Sequence, residues 1–211
     1  MNFMPEELNI DQWDRKEHFH FFKDFDQPFF GVTTTIDCTT AYQRCKENGH
    51  SFFLYYLYQS LKAANQIKPF SYRIHEGKVL VYDQVNASPT INRPNGTFGF
   101  AYMDYFPQFD DFLPAAATEI ERIQQSTGLA PSVAGENVIH YSAIPWVNFT
   151  ALSHASNSAF KDSCPKISFG KMSSEKGRKQ LPVSIHVHHA LMDGYHVGLF
   201  VDAFQALMNQ P

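Results

Sequence analysis

The chain has 211 residues, a formal net charge of −4 at pH 7, and 44% hydrophobic and 15% aromatic residues. No linker, charge run or internal repeat divides the sequence, so we expect a single domain over residues 1–211. The interspersed charges give no basic patch for nucleic acid or an anionic membrane, and no apolar run is long enough to span a bilayer. Because a signal peptide is not recognisable and the three cysteines are scattered, we expect a cytoplasmic protein with reduced thiols.

Strands are predicted by alternating and β-branched runs, and helices by apolar residues at helical spacing. In chain order the patterns predict a short helix or arm over 12–22, a strand over 29–36, helices over 40–48 and 52–65, strands over 71–75, 78–83, 87–91 and 97–103, a helix over 109–125, strands over 138–144, 166–172 and 181–188, and a helix over 195–208. Hairpins that alternate with long helices predict an α/β (α+β) two-layer sandwich, with a mixed β-sheet packed by helices. Neither a G-x-G-x-x-G nor a P-loop motif occurs, which argues against a dinucleotide site.

The strongest chemical signal is LPVSIHVHHALMDG, residues 181–194. Alternating apolar and polar residues predict a strand that stops at two histidines, and by this alternation His189 and His188 fall on opposite faces. A neutral imidazole at a strand end accepts a proton near pH 7, so His189 is a candidate general base. Asp193 follows across a turn closed by Gly194, where it either orients His189 or holds the loop.

Other interpretations of these residues remain open at this point. His189 and Asp193 could be hydrogen-bonded groups at a strand end with no catalytic role. A zinc site could use His186 and His188, which share a strand face, with His196 or His20 as third ligand. No cysteine or carboxylate at matching spacing completes that set, so we expect no metal. A serine hydrolase is disfavoured because the sequence lacks a G-x-S-x-G motif.

Four motifs, in order along the chain, resemble those of the chloramphenicol acetyltransferase family. HHALMDG (188–194) fits His-His-x-x-x-Asp-Gly, WDRKEHF (13–19) resembles W-x-R-[RK]-E-H-F, SAIPWVNF (142–149) resembles S-A-x-P-W-[VI]-x-F, and ISFGK (167–171) resembles [IF]-T-M-[AG]-K. Their common order over about 185 residues makes coincidence very improbable. The acyltransferase cores of 2-oxo acid dehydrogenase complexes are more distantly similar, and the lack of a lipoyl domain or linker favours the antibiotic-acetylating branch.

The resemblance implies an O-acetyltransferase that uses acetyl-CoA as co-substrate and acts on a hydroxyl of chloramphenicol. His189 would be the general base that deprotonates the acceptor for direct attack on the thioester. Ser142 would donate a hydrogen bond to the oxyanion, and Ser168, which stands where the family has threonine, would assist through water. Asp193 and Arg15 would form a structural pair that supports the loop.

The resemblance also implies a homotrimer with its active sites at subunit interfaces. Trp146 and Lys171 would line the tunnel for CoA. Phe22, Phe29 and Phe98 would contribute a hydrophobic pocket for the acceptor.

The acceptor side of the sequence departs from the family pattern. His154 brings a polar group to a region that usually packs on the drug, and Ala130 stands where an aromatic residue is common. Met172 follows Lys171 in place of an aromatic that could stack on adenine. Two alternatives therefore stay open: the same chemistry on a different small hydroxyl acceptor, or a non-catalytic trimeric relative that binds CoA or another ligand.

Overall fold

The computed structural model describes residues 5–129, 131, 133, 135–155 and 162–210. Within these residues ten strands and five α-helices follow one another. The strands are β1 (Glu6–Glu7), β2 (Phe29–Asp37), β3 (Tyr72–His75), β4 (Lys78–Val81), β5 (Asn86–Asn92), β6 (Phe98–Phe100), β7 (Val138–Ala143), β8 (Lys166–Phe169), β9 (Ser173–Glu175) and β10 (Arg178–His188). The helices are α1 (Lys16–Phe22), α2 (Thr39–Asn48), α3 (Phe52–Gln66), α4 (Phe109–Gln125) and α5 (Gly194–Met208).

Seven strands form one mixed sheet in the order β2-β10-β8-β7-β5-β6, with β9 paired to β10. β7 runs parallel to β5 and β8, whereas β10 is antiparallel to both β8 and β2. The three short strands β1, β4 and β3 form a second, antiparallel sheet. The mixed sheet confirms the architecture expected from the sequence.

Helices cover one face of the large sheet. Val183, Ile185 and Val187 of β10 are fully buried there, in the same cluster as Leu57 of α3 and Phe200 of α5. Full burial of one such side chain contributes roughly 1.5–3 kcal/mol, so this layer supplies much of the stability. Because side chains alternate along a strand, the polar residues of β7, β8 and β10 lie together on the opposite face.

Tight turns connect two pairs of neighbouring strands. Glu76 and Gly77 have φ values of 49° and 79°, and Lys176 and Gly177 have values of 49° and 81°. Two positive φ values in succession are typical of two-residue hairpin turns, and glycine adopts them without steric cost. The first turn joins β3 to β4, and the second joins β9 to β10.

The end of β8 differs from its predicted position. We expected a strand over residues 166–172, but β8 ends at Phe169. The amide of Lys171 donates to the carbonyl of Val147 (2.8 Å) instead of continuing the ladder. β9 pairs with the first residues of β10, so β10 begins at Arg178 rather than at residue 181.

None of the described helices combines the length and the apolar character needed to cross a bilayer. Cys38, Cys45 and Cys164 are buried free thiols. Burial raises the pKa of the Cys45 and Cys164 thiols to about 11, which keeps them protonated and unreactive near neutral pH.

Candidate active site

His189 lies in the turn that follows β10. Its amide donates to the carbonyl of Pro28 (2.8 Å), which ties the turn to the start of β2. Its Nδ1 lies 3.2 Å from the carbonyl oxygen of Met192. Because a carbonyl oxygen only accepts hydrogen bonds, this contact places the ring proton on Nδ1 and makes Nε2 the basic nitrogen.

Two aromatic rings hold the imidazole of His189. The ring of Phe22 stacks on it at 4.0 Å between centroids, and the ring of Phe30 lies tilted against it at 4.7 Å. The sequence motifs did not predict a role for Phe30, and they assigned the neighbouring Phe29 to the acceptor pocket. Phe29 packs edge-on against His188 at 5.4 Å. Phe29 and Phe30 are adjacent strand residues, so their side chains point to opposite faces of the sheet. Only the pairing of β2 with β10 decides which of the two contacts the turn that carries His189.

The neighbouring His188 is a structural residue. It is 5% exposed, and its Nδ1 accepts a hydrogen bond from the amide of Ala190 (3.3 Å). Burial lowers the pKa of His188 to about 4, so the ring is neutral near pH 7. The two consecutive histidines therefore have different environments, as the strand alternation predicted.

Arg15 and Asp193 form an ion pair beneath the turn. Arg15 Nη1 lies 2.5 Å from Asp193 Oδ2, and Arg15 Nη2 donates to the carbonyl of His189 (3.3 Å). The other carboxylate oxygen accepts from the amide of Tyr195 (3.1 Å) and caps α5. Burial opposes ionisation of Asp193, but the hydrogen bond and charge of Arg15 lower its pKa. Both carboxylate oxygens are thus engaged in holding the turn.

Ser142 and Ser168 lie side by side on the sheet face that the helices leave uncovered. Ser142 of β7 pairs with Ser168 of β8, which in turn pairs with Ser184 of β10. Ser168 is fully buried, and its Oγ has no hydrogen-bond partner among the described residues. The three serines form one row across the sheet.

The residues assigned to CoA lie just beyond this serine row. Trp146 follows β7 and Lys171 follows β8, and the Lys171–Val147 hydrogen bond holds the two segments together. Both side chains are exposed, Trp146 to 66%.

Phe98, assigned to the acceptor pocket, is 42% exposed on β6 and contacts Phe100 at 5.6 Å between centroids.

The predicted site residues therefore form two separate groups within one chain. The base half-site comprises Arg15, Phe22, His189 and Asp193, together with Phe30, which the sequence did not predict. The donor half-site comprises Ser142, Trp146, Ser168 and Lys171.

The strand register sets the distance between these groups. Ser142 lies in the row of Ser184, and His189 lies five residues further along the chain from Ser184. At about 3.3 Å per residue this is roughly 16 Å along the strand direction, and β10 and β7 are separated by two further strand spacings of about 4.8 Å across the sheet. A base and an oxyanion donor must both lie about 3 Å from the reacting groups, so one chain does not bring His189 and Ser142 together.

Polar side chains occupy the next row of the same sheet face. His140, Lys166 and His186 pair in register across β7, β8 and β10, and His154 packs edge-on against His186 at 4.7 Å. We call these four residues the polar wall. The Lys166 ammonium lies 2.5 Å from Asp162 Oδ2, so the charges of this pair cancel.

A metal site at His186 and His188 is not supported by the packing. The ring of His186 lies over Gly31, and His188 bonds to its own turn. Within the described part of the chain, the potential ligand atoms that do cluster belong to His140, Asp162 and Cys164, within 4.8 Å of one another. In that cluster the ammonium of Lys166 already forms an ion pair with the carboxylate of Asp162.

Comparisons with known proteins identify the family of the chain. The family model described as chloramphenicol acetyltransferase matches residues 1–205. Chloramphenicol acetyltransferase 3 of Escherichia coli is 30% identical over 204 residues, 96% of each chain. The chloramphenicol acetyltransferase of Proteus mirabilis is 29% identical over 199 residues, covering 94% of this chain and 92% of the relative.

Solved structures give the same result. A chloramphenicol acetyltransferase has a TM-score of 0.91 at 32% identity, covering 98% of this chain and 100% of that chain. The dihydrolipoamide acetyltransferase of Azotobacter vinelandii shares the fold, with a TM-score of 0.67 at 15% identity over 91% of this chain and 85% of its own. The chain therefore belongs to the chloramphenicol acetyltransferase family.

Proposed function

We propose that this protein transfers the acetyl group of acetyl-CoA to a hydroxyl of chloramphenicol, and so acts in antibiotic resistance. The observation that carries the proposal is the setting of His189 in a member of this family. Its Nδ1 is bonded to the Met192 carbonyl, and its ring is held between Phe22 and Phe30. This arrangement leaves Nε2 of the imidazole available to accept a proton without prior reorganisation of the ring.

The reaction then proceeds in two steps. His189 Nε2 takes the proton of the acceptor hydroxyl while the hydroxyl oxygen attacks the thioester carbonyl carbon. The hydroxyl of Ser142 donates to the oxygen of the tetrahedral intermediate, on which negative charge develops. The intermediate collapses with cleavage of the carbon–sulfur bond, and His189 returns the proton to the CoA thiolate. No acyl-enzyme forms.

In this mechanism Asp193 positions the base without touching it. Arg15 binds both Asp193 and the carbonyl of His189, which supports a structural role for the pair. Ser168 lies beside Ser142, and its free hydroxyl supports assistance through water. Trp146 and Lys171, beyond Ser142, are proposed to contact CoA.

We further propose that each active site combines the base half-site of one chain with the donor half-site of another. The separation of His189 from Ser142 supports this arrangement, because one chain alone does not join them. Exposed aromatic side chains at both half-sites, Phe21 (66%) near the base and Trp146 (66%) near the donor, offer apolar surface for the contact. A contact between two different patches forms a closed ring when the rotation between successive copies closes, and the homotrimer implied by the sequence motifs is such a ring.

The three free cysteines support the further proposal of a cytoplasmic location, since disulfides are rare in that compartment.

A second candidate function keeps the chemistry but changes the acceptor alcohol. His154 favours it, because it places an imidazole on the sheet face beside the serine row. Ala130, the other departure in the acceptor region, lies outside the described residues.

The test of the proposed function is release of free CoA from acetyl-CoA in the presence of chloramphenicol. His189→Ala should lower kcat by at least about 10²- to 10⁴-fold, because it removes the general base. Ser142→Ala should lower kcat by about 10²- to 10³-fold, because it removes one oxyanion donor.

His75→Ala is the matched control, since His75 is an exposed histidine of β3 outside both half-sites. It should retain the wild-type rate. Wild-type turnover by His189→Ala would contradict the assignment of the base.

A further inference from the structure

The polar wall lies where the acceptor must bind if the proposed function holds. The thioester carbonyl has to lie within about 3 Å of Ser142 for the oxyanion to receive its hydrogen bond. His140 precedes Ser142 by two residues on the same strand and face, about 6.6 Å away, and Lys166 precedes Ser168 in the same way. Trp146 and Lys171 lie on the opposite side of Ser142, where CoA is expected. The polar wall therefore lies on the side of Ser142 where the acceptor would bind.

The wall offers hydrogen bonds and has little net charge. The Lys166 ammonium is paired with Asp162 and also lies 3.8 Å from the centroid of the Phe29 ring. Burial, and then the charges of His186 and Lys166, lower the pKa of His154 to about 4. Burial and Lys166 also lower the pKa of His186. The imidazoles are thus neutral near pH 7, when they donate at one nitrogen and accept at the other.

One atom of the wall lacks a partner. Nε2 of His154 is buried and has no hydrogen-bond partner among the described residues. An unsatisfied buried polar atom is costly, and a ligand group that reaches it recovers that cost. His186 is held in place by Ser184, whose Oγ lies 3.4 Å from its Nδ1, and its ring lies against Gly31. His154 packs on this supported ring and so presents its own nitrogen in a defined position.

We propose that His154 is a specificity-determining residue, which binds a neutral hydrogen-bonding substituent of the acceptor, such as a second hydroxyl or an amide. This inference rests on the proposed function for the placement of the acceptor beside Ser142. It narrows the acceptor class to alcohols that carry such a group near the acetylated hydroxyl. A purely hydrocarbon substituent would leave the imidazole unpaired, and an anion would compete with Asp162 for Lys166.

The test compares three small ligands that share a 3-phenyl-1-propanol unit: 1-phenyl-1,3-propanediol, 3-phenyl-1-propanol itself, and 4-hydroxy-2-phenylbutanoate, which carries a carboxylate where the diol has its second hydroxyl. Their dissociation constants are measured by ligand-observed NMR on the full-length protein in the presence of CoA. The wild type should bind the diol roughly five- to tenfold more tightly than the mono-alcohol, the usual effect of one net hydrogen bond. His154→Leu should abolish that preference, and His154→Gln, which keeps an amide in the same place, should restore much of it.

Several outcomes would overturn the proposal. They are equal binding of diol and mono-alcohol by the wild type, an unchanged preference in His154→Leu, or tighter binding of the carboxylate than of the diol. Both variants must keep the wild-type assembly size and thermal midpoint, which separates loss of contact from loss of fold. CoA release with chloramphenicol is measured in parallel. Failure of turnover with an intact diol preference would contradict the proposed function, whereas turnover without the preference would contradict only the role of His154.

Discussion

At the scale of single residues, a backbone carbonyl orients His189, the proposed base, and the aspartate of the motif makes other contacts. Met192 accepts from Nδ1 of His189, while Asp193 binds Arg15 and caps α5. The motif therefore places a carboxylate one turn from the imidazole without direct contact between them. The contacts of Asp193 hold the turn on which His189 lies.

The roles of Asp193 can be separated by two substitutions. Asparagine is a good helix cap but has no charge, so Asp193→Asn should lose only the ion pair, at a cost of about 1 kcal/mol in the free energy of unfolding. Asp193→Ala should lose the cap as well, for a total of about 2 kcal/mol. Thermal or urea unfolding at pH 7 measures both. A direct relay through Asp193 would instead make Asp193→Asn as inactive as His189→Ala.

The ion pair also predicts how stability depends on pH. The folded-state pKa of Asp193 is lowered from the ordinary value of 3.8, chiefly by Arg15 acting against burial. The stabilisation from the pair is therefore complete above the unfolded pKa and is lost as the pH falls through the folded one. In acid titrations of unfolding, Asp193→Asn should lack this part of the decline, and an identical acid profile in both proteins would contradict the assignment.

At the scale of secondary-structure elements, the pairing of β2 with β10 depends on a glycine. His186 pairs with Gly31, and a Cβ atom at position 31 would lie 2.3 Å from His186 Nε2. Glycine is otherwise unfavourable inside a strand, so its presence here is explained by the close approach of the ring. The same contact keeps His186 in position beneath His154.

This contact predicts a destabilising effect of a very small substitution. Gly31→Ala should force the imidazole of His186 to move and lower the free energy of unfolding by about 1–3 kcal/mol, the usual cost of overpacking. The control is Gly198→Ala in α5, where an added Cβ would meet no described residue within 4 Å apart from the adjoining backbone of its own helix. That change should be neutral or stabilise by up to about 1 kcal/mol, because alanine favours the helix. Equal stability of Gly31→Ala and wild type would show that the ring is free to move away.

At the scale of the whole molecule, local patterns predicted most of the elements but not their register. α4 runs from Phe109 to Gln125 as expected, because an apolar stripe and acidic first turn are visible in the sequence itself. The separation of Ser142 from His189 depends instead on which residues pair across β7, β8 and β10. That pairing is a long-range property, and a motif carries no information about it.

The sequence likewise did not predict that a charged side chain would be buried. Arg73 is fully buried and donates to the carbonyls of Phe70, Tyr72, Glu136 and Val138. These bonds tie the small sheet to the segment that leads into β7, on which Ser142 lies. An arginine in a strand is normally expected to be exposed. Arg73 is buried because residues 136–138 lie close enough for their carbonyls to accept hydrogen bonds from its guanidinium.

We propose that each active site forms from two copies of the chain, with His189 from one and Ser142 from the other. The direct test is to unfold and refold a mixture of His189→Ala and Ser142→Ala chains and to measure CoA release with acetyl-CoA and chloramphenicol. In randomly mixed rings about one quarter of the contacts join an intact His189 to an intact Ser142, so the mixture should regain about a quarter of wild-type activity. Each variant refolded alone should remain inactive. A mixture no more active than its components would contradict a shared site.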